Sequence, residues 1–196
     1  MTNKIAIVTG ASSGIGAATV KVLVKNGYKV VGLARRIARL DALSQELKSE
    51  SGKLFPLKTD ITKEADIKYA FVWTDTNVGP VSLLVNNAGI AKPTNIINGT
   101  TSDFKIVFDT NVIGLTIACR EAINMMLTNK SISPGYVDTE IVKVNGFLEY
   151  EDIAAIEKVA PRLHAEDVAD AILYVASTPS HVQITELTIR PVGEAV

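Results

Sequence analysis

The stretch that most constrains this chain lies at its beginning. Residues 4–8 form a short apolar, β-branched run, K-I-A-I-V. The run leads into Thr9-Gly10-Ala11-Ser12-Ser13-Gly14-Ile15-Gly16, and residues 17–25 follow with a helical pattern. A strand, a glycine-rich turn and a helix in that order make a phosphate-binding device. Gly10 permits the tight turn out of the strand. Gly14 removes a side chain where a pyrophosphate would approach the backbone, and Gly16 lets the helix pack close to the strand. The free N–H groups and the positive dipole end of the helix then face the phosphates.

The chain continues the alternation. Residues 29–34, 53–57 and 81–85 read as further strands, the last continuous and apolar as a central parallel strand should be. Residues 38–49 read as a helix with Leu40, Leu43 and Leu47 on one face, and Thr62 as the N-cap of a helix running to about residue 76. A long helix is predicted over 102–127. There Phe104, Phe108, Val112, Leu115, Cys119, Ile123 and Met126 step by three or four and form one apolar face, with Cys119 in that core stripe. Residues 150–158 are a short helical candidate. Residues 166–177 are predicted helical with Val168, Ala171, Ile172 and Val175 inward, and residues 183–189 close the pattern as a strand. Strands alternating with helices at this spacing predict one doubly wound α/β domain over residues 1–196.

Composition narrows the function classes. A net charge of −1 provides no general basic field for nucleic acid or a membrane surface, and no apolar run is long enough to span a bilayer. The single Cys119 excludes an intramolecular disulfide and suits a reducing compartment, and no signal peptide fits before a strand at residue 4, so a cytoplasmic location is expected. No metal-ligand cluster is evident. The sequon Asn98-Gly99-Thr100 reads as a turn.

Two further stretches join the glycine-rich turn: Asn86-Asn87-Ala88-Gly89 and Ser133-Pro134-Gly135-Tyr136. With it they resemble the short-chain dehydrogenase/reductase family, from Lys4 to about Val192. The resemblance implies a Rossmann-type doubly wound parallel sheet and a nicotinamide dinucleotide cradled by Gly10, Ser12, Ser13, Gly14, Ile15 and Gly16. It places Asp60 and Ile61 at the adenine, Asn87, Ala88 and Gly89 along the ribose, and Pro134, Gly135, Val137 and Thr139 at the nicotinamide end. Cofactor choice is read after the second strand, where an acid would bond the ribose 2′-hydroxyl. This chain has Ala34-Arg35-Arg36. Guanidinium groups bind a 2′-phosphate that a carboxylate would repel, so NADP is expected, with Arg35 ahead of Arg36 as its ligand. Residues 186–191 and the Ala34-Arg35-Arg36 stretch look closest to the farnesol dehydrogenase-like branch.

One part of the family pattern is absent. Hydride transfer to a carbonyl needs a proton donor for the developing alkoxide. In the family a tyrosine serves, with a lysine four residues on, a serine orienting the carbonyl and an asparagine supporting the lysine through water. Asn111 matches that asparagine. Tyr28, Tyr69, Tyr136, Tyr150 and Tyr174 are followed four positions on by Gly32, Trp73, Glu140, Ala154 and Thr178, so none has the lysine. His164 and His181 read as surface residues. Only a few residues separate the long helix from Ser133-Pro134, where the family has a strand–helix unit of at least about 30 residues. The sheet is therefore expected to be one unit short. The family dimer interface, built in part from the absent helix, is expected to be disrupted. The resemblance thus implies an NADP-dependent oxidoreductase of an alcohol/carbonyl pair, impaired in the chain as written. The alternative is a non-catalytic NADP-binding regulatory or interaction protein.

Overall fold

The computed structural model describes residues 4–128 and 163–179. β1 (Ile5–Thr9) is buried along its whole length, as a strand covered on both faces must be. It pairs in parallel with β2 (Lys29–Ala34) on one side and β4 (Leu83–Val85) on the other, and β3 (Lys53–Lys58) lies outside β2. The order is β3-β2-β1-β4. Pro56, which has no N–H for the ladder, is tolerated in β3 because that strand takes the edge.

Strand alternation divides the core in two. Ala6, Val8, Val30, Leu54, Leu83 and Val85 pack with α1 (Gly14–Lys25), α2 (Ile37–Glu46) and α6 (Ala165–Ser177). Ile5, Ile7, Val31, Leu33 and Leu84 pack on the other face with α3 (Glu64–Asn77) and α5 (Leu115–Thr128). Helices cover both faces of a parallel sheet, so the expected doubly wound architecture is present.

Local chemistry moves several boundaries. Ser82 was expected inside a strand. Its hydroxyl accepts the Ile5 N–H at 3.3 Å and donates to the Ile5 carbonyl at 3.0 Å, and β4 starts one residue later. Thr62 does not cap α3. The Asp60 carboxylate takes the Thr62 N–H at 3.1 Å and its hydroxyl at 2.8 Å, and the helix begins at Glu64. Leu40, Leu43 and Leu47 are buried as expected, although α2 stops at Glu46. In α6 the buried residues are Ala169, Ile172 and Ala176, with Ala171 and Val175 only half-buried. Small side chains let this helix approach α1, and the Tyr28 hydroxyl donates to the Ala176 carbonyl at 3.4 Å. Asn98 does lie in a turn, where its side-chain oxygen accepts the Asn95 N–H at 3.1 Å.

The long helix is the main correction. It is α4 (Thr101–Phe108), a π-helical turn (Asp109–Gly114) and α5. Of the expected face Met126 is buried, but its buried companions are Thr110, Gly114, Ala118 and Ala122, whereas Phe108 is 61 % exposed and Val112 45 %. A hydrophobicity pattern favours the large stripe. Packing favours the small one, because only small side chains let a backbone approach as closely as Gly114 does: a Cβ there would meet the Ile61 carbonyl. Cys119 is half-buried at the border between the two faces. The expectations for residues 131–133, 150–158 and 183–189 lie outside the described residues.

Charge also ties α3 to α5. Glu64 Oε1 accepts from Lys68 Nζ and from Arg120 Nη2, each at 2.8 Å. The Lys68 contact, then that of Arg120, pulls the Glu64 carboxyl down to about 2. A depressed folded pKa stabilises fully above the unfolded value and is lost as pH falls through the folded one. Glu64→Gln is therefore expected to flatten the acid limb of stability between about pH 4.3 and about pH 2, measured by denaturant unfolding. The helix-face assignment is tested by two substitutions. Ala118→Leu is expected to cost about 1–3 kcal/mol by overpacking, and Phe108→Ser less than about 0.5 kcal/mol, both read from the same unfolding curves.

Candidate nucleotide-binding site

The site forms where the carboxyl ends of β1 and β4 meet. The last residue of β1, Thr9, is 1 % exposed. Its hydroxyl oxygen accepts the N–H groups of Asn87 at 3.0 Å and Ala88 at 2.9 Å, and it donates to the Val85 carbonyl at 3.4 Å. Asn87 answers from the other side, with Nδ2 donating to the Thr9 carbonyl at 3.0 Å and the Gly10 carbonyl at 3.3 Å. Thus Asn87 and Ala88, expected along a ribose, are first of all the buttress of the glycine-rich loop. Thr9 had no assigned role in the sequence. Its signal is a hydroxyl-bearing β-branched residue closing an otherwise apolar strand.

The glycines divide their work accordingly. Gly10 and Gly14 have φ of +64° and +55°, a region that side chains strain. A Cβ at Gly10 would sit 2.9 Å from Ala88 Cα, and one at Gly16 would collide with Asn87 and the Gly10 carbonyl. Nothing lies within 4 Å of a Cβ position at Gly14. Gly10 and Gly16 therefore serve the Asn87 contact, and Gly14 borders open space. Ser13 is the extended N-cap of α1, Ile15 is half-buried, and no acid lies in the first helical turn. The arrangement suits an anionic group at the helix N-terminus.

The two arginines after β2 point to different tasks. Arg36 Nη2 donates to Ser12 Oγ at 3.2 Å and Ser13 Oγ at 2.8 Å, laying a cation across the glycine-rich loop. Arg35 lines a cleft of about 350 Å³ with Lys58, Asp60, Lys63, Asp66 and Tyr69. Burial pushes the Asp60 carboxyl up. The Thr62 bonds, Arg35 and Lys63 outweigh it and hold the group below the usual carboxylate range. Ile61 packs into the second core beneath this cleft's loop. The serine–arginine contact was not anticipated, because nothing local in the sequence pairs residues more than twenty positions apart.

Asn111 lies in the π-helical turn. Its Oδ1 accepts the Ile90 N–H at 2.9 Å, and its Nδ2 donates to the Ile90 carbonyl at 2.7 Å. The side chain thereby anchors the segment that follows Asn86-Asn87-Ala88-Gly89, with Gly89 half-buried beside it. Buried Asn86 donates to Cys119 Sγ at 3.1 Å, and its Oδ1 has no partner among the described residues. Burial pushes the Cys119 thiol up against the pull of Asn86, away from a reactive thiolate. His164 is exposed at the start of α6, where its N–H donates to Asp167 Oδ2 at 2.7 Å. Pro134, Gly135, Val137, Thr139 and His181 lie outside the described residues. Among the described residues no group of three His, Cys, Asp or Glu could hold a metal ion, and no helix is long and apolar enough to cross a membrane.

Comparison with known proteins decides the family. The family model described as short chain dehydrogenase matches residues 4–133. The chain belongs to the short-chain dehydrogenase family. Farnesol dehydrogenase of Aedes aegypti is 37 % identical over 97 % of both chains. Dehydrogenase/reductase SDR family member 11 of Homo sapiens is 32 % identical over 96 % of this chain and 94 % of that one. The alignment with the Aedes protein runs over 246 positions, more than the 196 residues of this chain, so part of that relative faces no residue here. A serine dehydrogenase solved with NADP+ superposes with a TM-score of 0.83 at 22 % identity, covering 98 % of this chain and 96 % of that one. An alcohol dehydrogenase from Thermococcus sibiricus, complexed with 5-hydroxy-NADP, gives 0.82 at 18 % identity over 98 % of both. These two likenesses show the fold.

The Thr9 bonds carry a testable cost. Thr9→Val keeps shape and β-propensity but strands two N–H groups near the buried end of β1. The expected loss is roughly 2–4 kcal/mol of unfolding free energy, read from denaturant melts, with Thr9→Ser recovering most of it.

Proposed function

We propose that this chain is an NADP-binding member of the short-chain oxidoreductases of alcohol/carbonyl pairs that, as written, carries out little or no hydride transfer. One juxtaposition carries the reading. The glycine-rich loop at residues 10–16 is braced by Thr9 and Asn87 as the pyrophosphate end of such a cradle would require, and none of the five tyrosines is followed by a lysine four positions on. The bound nicotinamide supplies or accepts the hydride. The chain would hold the pyrophosphate on the loop at residues 10–16 and the 2′-phosphate through Arg35 and Arg36. Asp60 and Ile61 would border the adenine, and Asn87, Ala88 and Gly89 the ribose. Residues 134–139 would reach the nicotinamide end. Asn111 is the surviving member of the proton-handling set. Both polar atoms of its side chain are engaged with Ile90, so its part in that set would fall to the main chain.

The support for impairment is twofold. The family match stops at Ser133, beside the junction of Lys130 and Ser131, and the alignments with relatives are longer than the chain. A missing strand–helix unit at that junction accounts for both, as in a shortened product of a longer gene. A different observation favours a second reading, a non-catalytic NADP-binding regulatory or interaction protein. Phe108, Val112 and Ile113 stand exposed on the helix that builds the family's dimer interface, here without the absent helix beside it. On either reading the family dimer is not expected to form.

NADPH titration followed by its fluorescence is expected to show saturable binding, with Arg35→Asp weakening it at least about tenfold through loss of a charge-assisted contact and gain of repulsion. Aldehydes and prenyl alcohols, the latter suggested by the Aedes relative, are expected to give no turnover with NADP(H). Robust turnover would overturn the assignment of a missing proton donor.

A further inference from the structure

The cleft beside β2 and β3 holds three cations, and the family pattern explains only one of them. Parallel pairing sets Ala34 of β2 directly across from Lys58 of β3, so the residue after Ala34, Arg35, emerges next to Lys58. The Thr59 N–H continues the pairing to the Ala34 carbonyl at 3.1 Å and fixes the two strand ends together. Lys63 arrives from the other side, because its N–H closes a turn on the Asp60 carbonyl at 2.9 Å. Arg35, Lys58 and Lys63 line one cleft with Tyr69. Among the described residues none of these three cations makes an ion pair within 4 Å, although six such pairs occur elsewhere.

Two carboxylates share the cleft, and both are tied back. Asp60 Oδ1 is occupied by the N–H and hydroxyl of Thr62. Asp66 Oδ2 accepts the Asp60 N–H at 2.9 Å. Three cations against two carboxylates leave the cleft with a surplus of positive charge, in about 350 Å³, space enough for a phosphate and its ribose. Arg36 is engaged with Ser12 and Ser13 across the glycine-rich loop, so it closes the other flank of the same strand end.

We infer that Lys58 is a specificity-determining residue for the cofactor's 2′-phosphate, with Lys63 as its outer partner. The inference rests on the proposed binding of NADP. The phosphomonoester on the adenosine ribose sits between Arg35 and Lys58. An unphosphorylated ribose leaves the three cations with only Asp60 and Asp66 to offset them. Discrimination between the phosphorylated and unphosphorylated dinucleotide is thus shared by two adjacent strand ends.

The test compares NADPH and NADH binding, by fluorescence, in the full chain and in Lys58→Met, Lys58→Arg and Lys63→Met, with thermal unfolding of each as the folding control. The expected result is NADPH binding about tenfold weaker in Lys58→Met, unchanged NADH binding and recovery in Lys58→Arg, with a smaller loss in Lys63→Met. 2′,5′-ADP should compete with NADPH better than 5′-ADP does, and lose most of that advantage in Lys58→Met, whereas inorganic phosphate should compete weakly in both. If the parent chain prefers NADPH and Lys58→Met keeps the whole preference, Lys58 has no such role and the NADP reading stands. If NADPH and NADH weaken alike, the lysine acts on the fold of the cleft and the inference fails. If the parent chain does not distinguish the two dinucleotides, the NADP reading fails with it.

Discussion

A single buried hydroxyl organises the candidate site. Thr9 holds the backbone after β4 against the end of β1, and Asn87 returns two bonds to the loop that follows β1. The spaces at Gly10 and Gly16 are shaped by that asparagine. The cradle is therefore a joint product of the first and fourth strands, with α1 aimed by the loop between them. Remove the hydroxyl and two N–H groups lose their acceptor where little water can replace it.

This wiring separates binding from chemistry. The hydrogen bonds that shape the loop, among the described residues, come from residues 9–16 themselves, from Leu33 and Arg36, and from residues 85–88, all well before the junction at Lys130. The proton-handling residues of the family would come from a unit beyond that point. Among the described residues no hydrogen bond that shapes the loop reaches beyond that junction, so the loop does not depend on such a unit for its shape. Asn111 stands at the border. It resembles a member of the proton relay, yet its side chain braces Ile90, and so it has a reason to persist whether or not the relay does.

Much of the architecture was legible in the sequence because local and global demands agree there. β1 is apolar up to its closing Thr9, and its glycine-rich turn admits few geometries, so strand and turn fall where expected, while α1 starts three residues earlier than its pattern, at Gly14. The parallel sheet accords with the alternation of strands and helices. The long helix departs from its pattern because periodicity ranks side chains by hydrophobicity, whereas the face that packs inward is mostly small: Gly114, Ala118 and Ala122 are inside while Phe108 is outside. Thr62 was misread because a neighbouring carboxylate claimed both of its donors. In the site, the glycines and Asn87 were visible as a motif. The contact of Arg36 with two serines was not, since it depends on how β2 ends relative to a loop from another part of the chain.

The wide turn at Asp109–Gly114 limits how this region can change. A π-helical turn holds one residue more than its α-helical equivalent. The wide turn takes up that residue locally, so deleting one there would close it to a regular helix while the helix beyond kept roughly its facing. Gly114, Ala118 and Ala122 would stay near their seats, and Asn111, inside the turn, would lose its bearing on Ile90. A deletion inside α5 itself has no such slack: it would turn the helix beyond it by about 100° and carry the small face off the core.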